Sequence, residues 1–402
     1  MTRYPLANLR VVNFGWVWAA PILGTTLADM GAEVIKIETK KRPDIIRLLP
    51  PLLKDQPYEA LYAHNTLRNN YGVSLDLKDK RGFAMAQDLV RSADVVIENF
   101  SPGFMESLGL GYAGLRKLRP DVVMISLSAA GQTGPLHNIV TYGNIISCLA
   151  SLDGYQGYIG EDRPMRYGTT IPDPLMGIYG AFAVLTALRH RAKTGKGQYI
   201  DLGQWEAGVT MASGPMIDYA MNGRIQRWRG NRDEMLAPHG CYKCAGDDDW
   251  LTIAVKTDEE WHALCEVMGR EDMANDERYG DLYGRQMHHD AIDAAIREWA
   301  KGQEHYAAGA MLQAKGVAAF PALSIQETFL DKHFNARNNW VEVEHRLGRE
   351  TIAGMPWRLS KTPGGVRRAA PSIGQDNHKI FCDVLGMAPE RVTILEQEKV
   401  LY

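Results

Sequence analysis

Apolar and polar positions over roughly the first third of the chain switch repeatedly between a strand period and a helix period. "LRVVNF" at 9–14 is the short, β-branched and apolar run of a buried strand. "GWVWAAPILGTTLADMGAEVIKIE" then leads through a loop and a helical stretch into a second apolar run that ends at Glu38. That is a βαβ unit, with Gly31 where a left-handed helix C-cap is wanted. The alternation continues with a helix in "GFAMAQDLVRSA", a strand in "DVVIEN", a helix in "YAGLRKLR" and a strand in "DVVMISLS". Strands alternating with helices predict an α/β fold whose parallel sheet is covered on both faces. Glu38 falls about where a ribose-binding acid follows a dinucleotide turn, but "GWVWAAPILG" has no GxGxxG and sets two tryptophans where backbone must approach a pyrophosphate. Dinucleotide binding is therefore excluded, and "ETKKRPDIIR" reads as a solvated charge run.

The stretch "TTIPDPLMGIYGAFAVLTALRHRAKTGKGQYIDLGQWEA" at 169–207 opens on an acid beside a proline. Asp173 is placed to N-cap a helix whose first residue is Pro174, and the helix runs to "RHRAK" before Gly195 ends it. Gly177 and Gly180 each cost ~1 kcal/mol against Ala in a helix interior, so close packing against a backbone or ligand is expected there. A turn, a short strand and another helix follow in "GKGQYIDLGQWEA". From Ile225 the pattern changes to a loop, strands joined by an Asp-rich hairpin, a helix opened by Thr-Asp-Glu-Glu, and helices in "DAIDAAIREWAK" and "HYAAGAMLQAK". This is a second, smaller domain ending near Gly316. The tail shows strand alternation, Pro/Gly-rich loops and a last helix, "HKIFCDVLG".

A chain of 402 residues accommodates two domains at about 100–200 residues each, and 45% hydrophobic content fills their cores. The net charge of −3 carries no basic footprint for nucleic acid or an anionic membrane, which leaves small molecules or copies of the chain itself as partners. The start "MTRYPLANLRVVNFGW" lacks a signal-peptide run and no window reaches the ~18 apolar residues of a membrane span, so a cytoplasmic protein is expected. Five cysteines without framework spacing agree with a reducing compartment. Cys241 and Cys244 form a lone CxxC; a closed metal site needs about four ligands, and no metal is expected.

Six segments together resemble the class III CoA-transferases: "LADMGAEVIKIE", "ADVVIENFSPGFMESLGLGY", "SLSAAGQTGP", "DPLMGIYGAFAVLTALRHRAKTGKGQYIDL", "RGNRDEMLAPHG" and "GMPWRLSKTPGGVRRAAPSIGQDN", in the family's order and spread over nearly the whole chain. The family's relatives include formyl-CoA:oxalate and carnitine CoA-transferases and 2-methylacyl-CoA racemase. The resemblance implies a Rossmann-like large domain built from N- and C-terminal parts (1–224 and 319–402), a smaller α+β domain (225–318) and an interlocked dimer, or pairing with a homologous subunit. It places the catalytic carboxylate at Asp173. It places a CoA site at Val17, Trp18 and Ala19 of the first loop, at Thr39, Arg68, Asn99 and Phe100, and at Tyr142. Gly230, Asn231 and Arg232 would form a mobile loop over the reacting thioester. Where many relatives carry a Lys-Arg pair, this chain has Asn70 and Tyr71, leaving Arg68 as the cation of that loop. In the interlocked arrangement Arg358, Arg367 and Arg368 face the partner.

The implied reaction uses coenzyme A as a substrate thioester. A carboxylate attacks an acyl-CoA, a mixed anhydride forms, and CoA thiolate returns to make an aspartyl-CoA thioester that a second carboxylic acid then captures. Asp173 at a helix start fits, because the dipole and exposed N–H groups favour an anion held poorly solvated. In the racemase branch a His and an acid exchange an α-proton, but their positions hold Tyr142 and Gly143 here, with His137 five residues away. A non-catalytic subunit is a third reading, which the presence of Asp173 opposes. The "DPLMG" and "APHGCYKC" variants resemble relatives acting on succinate-type or aromatic acids, as in succinyl-CoA:benzylsuccinate transfer.

Overall fold

The computed structural model describes residues 4–166 and 168–402. Its elements begin with β1 (Arg10–Asn13), α1 (Ala19–Asp29), β2 (Glu33–Glu38), β3 (Tyr71–Ser74), α2 (Lys80–Ser92), β4 (Val95–Glu98), α3 (Tyr112–Leu118) and β5 (Val123–Ser128). They continue with α4 (Gly143–Leu149), α5 (Pro172–Thr194), β6 (Tyr199–Gly203) and α6 (Gln204–Val209). The six strands form one sheet in the order β3-β2-β1-β4-β5-β6, with every neighbouring pair parallel. Alternation along each strand loads both faces. Val12, Ile35, Val96 and Met124 pack with residues of α2 such as Leu89, while Val11, Val34, Val95 and Ile125 pack under α1 and α5 against Leu23, Leu27 and Val184. The strand order reverses between β1 and β4, which opens a crevice beyond their carboxyl ends.

β3 is a strand the hydrophobic pattern did not reveal, because Gly72 at its second position interrupts the β-branched apolar run. Gly72 is needed there: a Cβ would lie 2.9 Å from the carbonyl oxygen of Ser372. The returning C-terminal segment covers this sheet edge, with Gly72 N–H donating to Asp376 (2.8 Å) and Ser74 N–H to Asn377 (2.9 Å). Glu38 is buried in a bidentate pair with Arg47 (2.7 and 2.6 Å), and Arg47 also donates to the Pro371 carbonyl (2.9 Å). That pair removes Glu38 as a ribose acceptor and takes Arg47 out of the solvated charge run.

Two tail arginines take partners within the chain. Arg367 donates to the Ala28 carbonyl (2.5 Å) and lies over the Tyr4 ring, and Arg368 pairs with Asp376 (2.9 Å) over the Tyr71 ring. The unsatisfied carbonyls at the end of α1 and the buried Asp376 supply partners within the chain, although Arg367, like Arg358, remains exposed and Arg368 is half-buried. The tail also holds the antiparallel hairpin β10 (Trp340–His345) and β11 (Gly348–Ala353), the helix Asn377–Asp383, and a further helix, Pro389–Gln397, beyond the one read as last.

By internal contacts the chain forms two units, one of 1–153, 167–224 and 336–402 and one of 154–166 and 225–335. The second unit has an antiparallel sheet of β7 (His239–Lys243), β8 (Trp250–Ala254) and β9 (Ala318–Pro321), with helices Asp258–Met268, His289–Ala300 and His305–Ala314 around Trp261, Leu264, Ile292 and Leu312. Thr257 and Glu260 form a reciprocal capping box at the first of these helices. This unit extends past residue 318. β9 completes its sheet, and His305 reaches Glu327 (2.9 Å), so 319–335 packs with the small unit rather than with the returning chain.

Candidate active site

The loop after β1 is fixed from below by charges that do not reach solvent. Lys36 of β2, fully buried, donates to the Gly15 carbonyl (2.5 Å) and stands 3.6 Å from the buried Asp44 carboxylate. Asp44 accepts from Val17 N–H (2.9 and 3.1 Å), which holds Val17 at φ +65°, a left-handed conformation that strains a β-branched residue. Burial pushes the Asp44 carboxyl up, against the Lys36 charge and the amide bonds that favour its ionised form. From above, Asn99 clips the loops after β1 and β4 together: its Oδ1 accepts from Trp16 N–H (2.7 Å) and its Nδ2 donates to the Trp16 carbonyl (2.8 Å). The Asn99 amide is therefore a brace for the crevice as well as part of its wall.

Asp173 lies in the first turn of α5, but not at the cap. Pro172 takes the first helical position and Ile171 the N-cap, so the helix starts two residues earlier than the Asp-Pro pair predicts. Freed from capping, the half-buried carboxylate is held by two side chains, accepting from Thr170 Oγ1 (3.0 Å) and from Gln204 Nε2 (3.1 Å) at the start of α6. Burial pushes its pKa up, and the two hydrogen bonds hold it down in part. No lysine or arginine contributes to that balance. A carboxylate with two neutral donors and little water keeps a reactive lone pair.

A cleft of about 650 Å³ opens over this carboxylate, a size suited to part of an acyl-CoA. Val17, Trp18, Asn99, Phe100, Tyr142 and Asp173, all named from the sequence, line it together with Tyr62, Gly143, Thr170 and Gln204. Three expected residues lie elsewhere in the first unit or take other partners. Ala19 is buried in the core beneath α1. Thr39 donates to the carbonyl of Tyr402 (2.8 Å), so the chain end occupies it. Arg68 pairs with Asp29 (2.7 Å) and lines a neighbouring cleft with Trp18, Tyr62 and Thr169. His137 lines the main cleft, but Nδ1 meets the Gly134 carbonyl (2.7 Å) and Nε2 meets Asn138 (2.8 Å), which ties both nitrogens. Gly230, Asn231 and Arg232 belong to the second unit, where Gly230 turns at φ +63° and Arg232 pairs with Asp290.

Sequence reasoning missed Gln204, Thr170 and the Lys36–Asp44 pair. Gln204 follows a strand in "IDLGQWEA", an ordinary helix start, and nothing local announces that its amide meets an acid 31 positions earlier.

Comparison with known proteins identifies the family. The model of CoA-transferase family III matches residues 6–377. The chain belongs to CoA-transferase family III. This family III member is 32% identical over 405 residues to succinyl-CoA–D-citramalate CoA-transferase of Chloroflexus aurantiacus, covering 99% of this chain and 98% of that one. It is 31% identical over 406 residues to the beta subunit of the succinyl-CoA–L-malate CoA-transferase of the same organism, covering 100% and 99%. Among solved structures, a CAIB/BAIF family protein from Brucella suis superposes with a TM-score of 0.88 at 27% identity, over 94% of this chain and 99% of that one. The enzyme is thus a CoA-transferase acting on CoA thioesters. Among the described residues, no helix is long and apolar enough to cross a membrane.

Proposed function

We propose that this enzyme transfers CoA from succinyl-CoA to a second dicarboxylic acid, through covalent intermediates on Asp173. The observation that carries the reading is the Asp173 carboxylate, which accepts from Thr170 and Gln204 and opens into the cleft instead of capping its own helix. One carboxylate oxygen attacks the thioester carbonyl; the C–S bond breaks, and an aspartyl-succinyl anhydride and CoA thiolate form. The thiolate then attacks the Asp173 carbonyl, which gives the aspartyl-CoA thioester and releases succinate. The acceptor carboxylate runs both steps in reverse. Gln204 and Thr170 orient the nucleophile, and Trp18, Phe100 and Tyr142 form the apolar part of a wall that slows hydrolysis of both intermediates. The donor and the dicarboxylic acceptor follow the names of the citramalate and malate relatives. A screen of carboxylic acid acceptors against succinyl-CoA, benzylsuccinate among them, would identify the acceptor.

After incubation with succinyl-CoA and no acceptor, mass spectrometry is expected to find CoA on the peptide containing Asp173. Asp173→Asn and Asp173→Ala are expected to lose that adduct and at least about a thousandfold in turnover while remaining folded. Retention of more than about a hundredth of the activity would remove Asp173 as nucleophile. No deuterium should enter the acyl α-position in D₂O, because a racemase needs an acid/base pair and Gly143 supplies no acid.

A further inference from the structure

Away from the cleft, two distant parts of the first unit bring four ionisable side chains together. Glu59 and His64 stand at and within the short helix Leu61–Thr66, and His345 and Glu350 face each other diagonally across the β10–β11 hairpin, whose register sets Val343 opposite Glu350. Glu59, His64 and His345 are 2, 3 and 8% exposed, so the cluster is buried. Both histidines turn Nδ1 to the same Glu350 oxygen, at 2.8 Å for His64 and 3.2 Å for His345. Both turn Nε2 to the same Glu59 oxygen, at 3.2 and 3.7 Å. Neither Nε2 has a hydrogen-bond partner among the described residues. The other Glu59 oxygen is fixed by Arg346 (2.6 Å) and Ser372 (2.7 Å), which leaves one oxygen directed at the histidines.

We propose that Glu59, His64 and His345 form a site for a divalent transition-metal ion, zinc by the donor set, with Glu350 holding both imidazoles from behind. One ligand atom from each of the three residues lies within 4.8 Å of the others. Around a tetrahedral ion with bonds of about 2.0–2.1 Å, neighbouring ligand atoms stand roughly 3.3 Å apart, and the two Nε2-to-oxygen distances bracket that spacing. A carboxylate on the remote nitrogen is the usual support of a metal-bound histidine, since it puts the proton on Nδ1 and frees Nε2. At His345 the hydrogen bond to Nδ1 comes from Leu347 N–H (3.3 Å), with Glu350 3.2 Å away, so metal binding at Nε2 requires the Nδ1 proton to turn to Glu350 in place of Leu347. A water would complete four-coordination. The ion would join the hairpin to the helix that carries Tyr62, whose ring lies 5.5 Å from Trp18, and so brace one wall of the cleft.

The full-length protein, dialysed against zinc and desalted, should hold about one zinc per chain by elemental mass spectrometry, and its melting temperature should rise by several degrees with added zinc. Cobalt in place of zinc should give the visible absorption of a four-coordinate N/O site without thiolate charge-transfer bands, which separates this site from Cys241 and Cys244. His64→Gln and Glu59→Gln should each lose at least tenfold in metal content, with folding checked by circular dichroism. Glu59→Gln keeps an acceptor for Arg346 and Ser372, so it decides the matter if His64→Gln does not fold. Less than about 0.2 zinc per wild-type chain, a thiolate-type cobalt spectrum, or unchanged metal content in Glu59→Gln would each overturn the proposal and leave a proton-held ion-pair cluster.

Discussion

A Cβ added at Gly143 would lie 2.0 Å from Asp173 Oδ2 and 2.1 Å from Thr170 Oγ1, so the only side chain that leaves the carboxylate in place is none. Gly143→Ala is expected to push Asp173 off its donors and reduce kcat by about a hundredfold, the cost of a misplacement near 1 Å, with CoA affinity measured by calorimetry little changed. Unchanged kcat would mean that the cleft relaxes around the methyl group. Glu98, at the end of β4, is a second carboxyl whose position has a cost. Burial pushes its pKa up to about 7, against hydrogen bonds from Ser126 and Phe100 N–H. Between an unfolded value of 4.5 and a folded value of about 7 the folded chain binds more protons, so stability falls as pH rises through this window, by on the order of 3 kcal/mol. Glu98→Gln should flatten that decline in urea midpoints measured from pH 5 to 8. An unaltered slope would show that other groups set it. Read locally, Asp173 is a helix cap, and only the resemblance of the six segments to a known family singles it out as a candidate nucleophile. Gln204 and Gly143 were not legible as site residues, since their roles exist only where two helix starts meet a loop.

Among elements, α1 and α5 carry the site. α5 approaches α1 through its glycines: a Cβ at Gly177 would lie 2.4 Å from Ile22 Cγ2 and 3.2 Å from Leu23 N, and one at Gly180 would lie 3.0 Å from Leu23 Cδ2. The expected close approach to a backbone is present at Gly177, while Gly180 meets only side chains, those of Leu23, Leu127 and Ile125. Gly177→Ala should destabilise the protein by about 1–3 kcal/mol through overpacking, despite the better helix propensity of Ala, as read from denaturant unfolding. A stabilised variant would mean that the two helices can separate without loss. The same scale explains the missed strands. β3 and β9 are four residues each, and both form because partners elsewhere in the chain, β2 and β8, offer an edge. Neither carries the β-branched apolar run that reveals β1 and β4, which are equally short.

For the whole molecule, the chain leaves the first unit near residue 224 and returns to it near 336, so its large unit is built from both ends of the sequence. The interlocked dimer implied by the family resemblance predicts that no folded monomer exists at nanomolar concentration in sedimentation, and that dissociation and unfolding coincide in denaturant. A freely exchanging monomer would refute threading, and a particle with an unlike subunit would favour the paired arrangement of the malate relative. Arg367 is exposed and Arg368 half-buried, and each also holds a partner within the chain.

What the sequence determined by itself was the βα alternation, the capping-box helix of the second unit, the identity of the family and the acid at 173. Each of these is written in neighbouring residues, where a hydrophobic period, a cap or a short motif acts over one or two turns of chain. The tertiary structure alone decided that Asp173 is held by Thr170 and Gln204 rather than capping its helix, that Glu38 is taken by Arg47, that Lys36 and Asp44 hold Val17 in a strained turn, and that Glu59 and His64 meet His345 and Glu350. Except for the local Thr170 bond, these pairs join residues up to 286 positions apart. Their energies depend on burial and on distances of about 3 Å, which no local pattern encodes.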